Sequence, residues 1–211
     1  INLWIYQGKT YELIKLVDKK DSDVKDISKA LVQYLKAVKT NDMSSKATKR
    51  WLIVELVRRF LTDNSKMIEN ARKYLCVTDF CELLDGIICS PRSSGKVGGK
   101  ATGFFLANKV IHSHIENNPA FNNIKMVKTW YISADELENF LHDNHLDELN
   151  EHKYRDILEI RISYPKIVHS IKNGNLSPYI LSELNQILDQ SEGKPLIIRS
   201  SSLLEDQRNT A

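Results

Sequence analysis

From Asp23 to Lys39 the apolar positions Val24, Ile27, Leu31, Tyr34, Leu35 and Val38 recur at the three- and four-residue steps of one helix face. Ser22 stands where an N-cap would. A second helix is predicted from Ser44 or Ser45, carrying Trp51, Leu52, Val54, Leu56, Val57, Phe60 and Leu61. A third opens at Asp63 or Asn64 and carries Met67, Ile68, Ala71, Tyr74 and Leu75. Thr78 or Asp79 caps a short fourth that reaches Leu84. Residues 2–16 read differently. Leu3-Trp4-Ile5-Tyr6 and Thr10-Tyr11-Glu12-Leu13-Ile14 flank Gln7-Gly8-Lys9, which predicts a β-hairpin.

Ser90-Pro-Arg-Ser-Ser-Gly-Lys-Val-Gly-Gly99 interrupts this pattern and is the richest stretch in Gly, Ser and Pro. A helix is expected from Lys100 to about Asn117, ended by Asn117-Asn-Pro119. Val127 to Ile132 reads as a strand. Ser133 with Glu136 predicts a capping box for a helix carrying Leu137, Phe140 and Leu141. An amphipathic segment runs from about Asp147 to Ile171, with Pro165 expected to break or kink it. Asn173-Gly-Asn175 is a turn, and Ser177-Pro178 opens a helix that ends before Gly193. Leu196-Ile197-Ile198 then reads as a strand, with Arg199 where it leaves the core. Residues 1–90 are thus expected to be a mostly helical unit. Residues 91–211 alternate helix and strand, so the fold class expected is α+β (α/β).

Composition narrows the function classes. The 211 residues are 42% hydrophobic and 27% charged, enough to bury a core. Thirty basic residues against 27 acidic ones leave a net charge of +3, too balanced to argue for a nucleic-acid surface. Cys76, Cys81 and Cys89 fit no zinc spacing and read as reduced thiols of a cytoplasmic protein. No apolar run has the length of a membrane span, and no secretory signal pattern opens the chain. The first residue is Ile, and Asp206-Gln-Arg-Asn-Thr-Ala211 is polar without a structural stop. The chain therefore reads as a piece of a longer one. No oligomeric state follows from these features.

The chemistry lies in the interruption. Gly95-Lys-Val-Gly98-Gly99-Lys100 directly precedes a helix. Glycines let the backbone approach a ligand, and the exposed amides of a helix start attract anions. A lysine in the first turn adds a full charge. The pattern departs from a Walker A loop. Position 94 is Ser rather than Gly, position 101 is Ala, and the hydroxyl arrives only at Thr102. The alternative reading is a flexible linker ahead of a capped helix. Arg199 offers a second cation, able to grip phosphate oxygens with two parallel hydrogen bonds. Its alternative is an ion pair with Glu205 or Asp206.

Val97-Gly-Gly-Lys-Ala-Thr-Gly103 resembles the opening motif of the nucleotide-binding domain of the pyruvate phosphate dikinase and phosphoenolpyruvate synthase family. Leu196-Ile-Ile-Arg-Ser-Ser-Ser-Leu-Leu-Glu-Asp206 resembles that domain's second motif, and Lys128 to Ser133 and Leu137 to Leu149 look like its intervening strand and helix. The resemblance covers about residues 95–211. It implies the first part of an ATP-grasp-like domain that binds ATP and Mg²⁺ between two subdomains. It implies phosphoryl transfer from ATP to a histidine on a separate domain of the same parent chain, then to pyruvate, a glucan or an antibiotic. By position, Gly98, Gly99 and Lys100 would contact the phosphates, and Arg199 would contact the triphosphate as the catalytic cation. Ser200, Ser201, Glu205 and Asp206 would complete the nucleotide contacts. The family's metal-binding acids would lie beyond Ala211, so no metal ligand is assigned here, and the fragment alone is expected to be inactive. No phosphohistidine motif is present. His112, His114, His142, His145, His152 and His169 read as surface or half-buried residues.

Two other readings stand beside this one. The first is a non-catalytic helical interaction or regulatory module with a degenerate nucleotide-binding fold. The second is an RNA binder using Lys49-Arg50-Trp51 and Val57-Arg58-Arg59-Phe60. Those charges read better as the solvated edge of an amphipathic helix, with Trp51, Phe60, Leu61 and Tyr74 in its core or its seam.

Overall fold

The computed structural model describes residues 2–41, 45–91, 93–115, 118 and 123–201. It is mostly helical, with one small parallel sheet among the described residues. Two compact units are present: Ile1–Ala134 together with Ile198–Ala211, and Asp135–Ile197.

The first unit begins with α1 (Asn2–Asp18), α2 (Val24–Asn41), α3 (Lys46–Phe60), α4 (Ser65–Tyr74) and α5 (Asp79–Gly86). The expected hairpin at residues 2–16 is a helix. Tyr6, Leu13 and Val17 are seven and four residues apart, so a helix buries all three together against α2, where Tyr6 meets Tyr34 at 6.2 Å between ring centroids. A two-stranded hairpin would hide much less of this surface, so packing overrides the β-forming character of Trp4-Ile5-Tyr6. The helix face read for α2 is the face it buries, with Val24, Ile27, Leu31 and Tyr34 in the core. Its start is held by Asp23 rather than Ser22: the Lys25 N–H donates to Asp23 Oδ1 at 2.7 Å. Ser45 and Asn64 cap α3 and α4 as expected.

Phe60 and Leu61 are fully buried, whereas Trp51 and Tyr74 each keep 39% of their surface exposed and lie outside the core. Lys46, Lys49 and Arg50 of α3 are exposed, and its last two arginines are engaged within the protein. Arg58 pairs with Glu55 at 3.3 Å, and Arg59 Nη2 donates to the Ser22 carbonyl at 3.1 Å.

After α5 come β1 (Ile87–Ile88), the glycine loop, α6 (Gly99–Ile115) and β2 (Tyr131–Ile132). The strands pair in parallel, Ile87 opposite Tyr131 and Ile88 opposite Ile132, with α6 in the crossover between them. Only these two residues of the expected strand at 127–132 join a ladder. Val97, Phe105 and Tyr131 are buried in the same core as the α1–α5 side chains. Each large apolar side chain buried there contributes roughly 1.5–3 kcal/mol. The helices and the glycine loop therefore share one hydrophobic interior.

The second unit contains α7 (Glu136–Asp143), a 3₁₀ segment (Asp147–Tyr154), α8 (Ile157–Lys172) and α9 (Pro178–Gln190). The N-cap position of α7 is Asp135 rather than the expected Ser133. α8 continues through Pro165, and the 3₁₀ segment replaces the first part of the long helix expected from Asp147. Ser177 caps α9, with Pro178 at its first position. Asn144 clasps the 173–175 turn: its Nδ2 donates to the Asn175 carbonyl at 3.0 Å, and its Oδ1 accepts from the Asn175 N–H at 2.8 Å.

The strand expected at Leu196–Ile198 is not formed. Ile197 and Ile198 are 88% and 94% exposed, and the one described sheet consists of β1 and β2. An apolar β-branched run becomes a strand only where neighbouring strands accept its amides and cover its side chains. No described helix is long and apolar enough to cross a membrane.

Candidate functional site

The glycine loop is anchored along its length. The Ser93 hydroxyl accepts from the Gly95 N–H at 3.2 Å. Gly95 has φ +77°, and a Cβ there would stand 2.5 Å from Val24 Cγ2 and 3.2 Å from Phe60 Cε1. Only glycine combines that backbone with that space. The Val97 N–H donates to the Phe60 carbonyl at 2.9 Å, and the fully buried Val97 side chain fills the core. The Lys96 carbonyl accepts from the Ala134 N–H at 2.8 Å and from the Ser133 hydroxyl at 3.1 Å, and the Lys96 ammonium pairs with Asp63. The linker alternative fails on these bonds: the loop is moulded onto α2, α3 and the end of β2.

The loop delivers the chain into α6 at the end of β1, the side of a parallel sheet where α/β folds place ligands. Gly98 and Gly99 are buried, while Lys100 faces solvent in the first turn. Thr102 sits on the opposite side of that turn. Its side chain is fully buried, and Oγ1 donates to the Leu61 carbonyl at 3.0 Å. That hydroxyl cannot reach a solvent-side metal as the hydroxyl of a Walker A loop does.

The second motif meets the first here. The Ala101 N–H donates to Ser201 Oγ at 3.0 Å. A Cβ on Gly98 would lie 2.5 Å from the Ser201 carbonyl carbon and 2.6 Å from Ser201 Oγ. The absence of a side chain at Gly98 is what lets residue 201 lie against the helix start. Arg199 and Ser200 are exposed. Two residues before Ser201, Arg199 has its Cα within about 7 Å of the Ser201 Cα. Six of the expected contact residues therefore share one locality: Gly98, Gly99, Lys100, Arg199, Ser200 and Ser201. Glu205 and Asp206 lie outside the described residues.

Behind the site, Lys109 locks α6 to α5. Its ammonium pairs with Asp79 at 3.3 Å and with Glu82, and stands 5.4 Å from the Phe105 ring centroid. Burial pulls the Lys109 pKa down, but the two carboxylates outweigh it and hold the group above its ordinary value. Tyr131 is pushed up to about 12, by burial first and by the Glu82 charge second. Burial, with Asp85 beside it, also raises the Cys81 thiol. None of these partners was evident from the sequence. The acids at 79 and 82 are a helical i,i+3 pair, the one local signal that α5 presents a cation site.

Among the described residues no group of three or more His, Cys, Asp or Glu side chains is placed to hold a metal ion.

Residues 94–211 match a family model described as pyruvate phosphate dikinase, AMP/ATP-binding domain. The comparisons with curated proteins and with solved structures found no match.

Proposed function

The chain belongs to the pyruvate phosphate dikinase AMP/ATP-binding family, and from that premise we propose that it is the ATP-binding part of an ATP-dependent phosphotransferase. The reading is carried by one observation: Ser201 of the second motif is seated on Gly98 and on the Ala101 N–H of the first. Lys100 lies in the first turn of α6 beside that contact and Arg199 two residues before Ser201, which supports reading both as phosphate cations. In this reading the phosphates approach the helix start over the bare backbone of Gly99, beside Ser201 seated on Gly98. Lys100 neutralises them from the first turn. Arg199 grips the triphosphate in two-pronged fashion and is the catalytic cation, and Ser200 adds a hydroxyl.

Phosphoryl transfer asks little covalent chemistry of a protein. Alignment and neutralisation of charge on the transferring group supply most of the rate. Lys100 and Arg199 provide both. The phosphoryl group passes to a histidine on another domain of the parent protein. An ATP-grasp-like completion of the domain, with Glu205 and Asp206 near the nucleotide, belongs to the same proposal. So does the sequence division into a helical unit at 1–90 and a nucleotide-binding part from 91.

The test is calorimetric titration of ATP, with and without Mg²⁺, into the full-length protein and its Lys100→Ala and Arg199→Ala variants. Loss of either charge is expected to cost on the order of 1.5–3 kcal/mol, at least tenfold in affinity. A protein that binds no nucleotide, or binds it equally well without either charge, would be a non-catalytic relative with a degenerate site.

A further inference from the structure

α3 ends at Phe60 with Leu61 as its C-cap, and the last carbonyls of a helix have no partner within it. Two of those carbonyls are taken up by the glycine loop and the helix it opens. Phe60 O accepts from the Val97 N–H at 2.9 Å, and Leu61 O accepts from Thr102 Oγ1 at 3.0 Å. The bonds bracket Gly98, Gly99 and Lys100 on both sides. Thr102 is fully buried, as are Phe60 and Leu61, so neither bond has water competing for it. Gly95 closes the upstream end against Val24 and Phe60. The loop's shape is therefore determined by α2 and the end of α3, which precede the family-matched residues 94–211.

We infer that Thr102 is a positioning residue for the nucleotide: through Leu61 it holds the first turn of α6 so that Lys100 faces the phosphates. The end of α3 is accordingly part of the nucleotide site, although none of its side chains touches the ligand. This inference rests on the proposed reading of the loop as a phosphate site. Thr102 and Lys100 are two positions apart on one helix, roughly 200° around its axis at 3.6 residues per turn. A rotation that frees Thr102 from Leu61 turns Lys100 away from its present direction.

The experiment compares Thr102→Val, nearly isosteric and unable to donate, with Thr102→Ser, which restores the hydroxyl. Val17→Ala in α1 is the control for general loss of stability. ATP affinity is measured on the full-length protein at a temperature where melting curves show every variant folded. Amide hydrogen exchange follows the 95–101 segment without nucleotide. Thr102→Val is expected to weaken ATP at least fivefold and to speed exchange at Val97, with Thr102→Ser and Val17→Ala within twofold of the parent. Should Thr102→Val fail to fold, Thr102→Ala is read in the same way. Parent-like binding by the variant that cannot donate, or an equal loss in Val17→Ala, overturns the positioning role and leaves the ATP reading intact. No ATP binding by the parent overturns both.

Discussion

The Ala101 N–H donates to Ser201 Oγ at 3.0 Å across 100 residues of sequence. This hydrogen bond joins the glycine loop to the arginine-bearing segment, and it depends on the bare backbone of Gly98 beneath residue 201.

Gly98→Ala should separate the two motifs. Its Cβ would sit 2.5 Å from the Ser201 carbonyl carbon, so the chain at 201 must withdraw and carry Arg199 with it. ATP affinity measured by calorimetry is expected to fall at least tenfold. The melting temperature should move little, because the core side chains keep their packing. Unchanged affinity would mean that the seat of Ser201 is unrelated to nucleotide binding.

Lys109→Met should loosen α5 from α6. The substitution leaves Asp79 and Glu82 facing each other without their shared cation, and lost hydrogen bonds to charged groups typically cost about 1.5–3 kcal/mol each at partly buried sites. Exposure of Glu82 to solvent places the expected loss near the lower figure. Chemical denaturation should show a lower midpoint with an unchanged slope.

Alkaline pH should destabilise the protein in a defined window. The Tyr131 phenol has a folded pKa of about 12 against an ordinary value of 10.0, so its neutral form is favoured by folding. That contribution is complete below pH 10.0 and is lost as pH rises through about 12. Lys109 acts in the same direction, since its folded pKa also lies above the ordinary 10.5. In Tyr131→Phe the alkaline fall in stability should be shallower than in the parent. Phenolate absorbance should show one tyrosine fewer titrating late. A parent whose tyrosines all ionise together near 10 would contradict this.

The three thiols should differ in reactivity. Cys76 is exposed, Cys81 is half-buried with its thiol raised by burial and by Asp85, and Cys89 is buried. Because the thiolate is the reactive form, a maleimide or disulfide reagent under native conditions should label Cys76 first. Mass spectrometry of a time course checks the order. Cys81 labelling as fast as Cys76 would mean that its surroundings are open.

Much of the architecture was legible along the chain because it depends on local chemistry. The 3.6-residue spacing of Val24, Ile27, Leu31 and Tyr34 specified both α2 and the face it buries. Ser45, Asn64 and Ser177 announced helix starts, since a cap bond closes within three residues. The glycine loop and Arg199 could be singled out as candidates because phosphate chemistry restricts the residue types that could serve it. Tertiary structure decided what depends on distant partners. α1 is a helix because α2 covers Tyr6, Leu13 and Val17, although its sequence is rich in β-formers. Leu196 to Ile198 has a strand's composition, yet no described strand pairs with it. The anchoring of Thr102 to Leu61, of Val97 to Phe60 and of Ser201 to Ala101 joins groups 41, 37 and 100 residues apart, and two of the acceptors are backbone carbonyls carried by every residue type. Side-chain identity cannot mark such an acceptor. Only the packing of α3 against the loop selects which carbonyl is left for it.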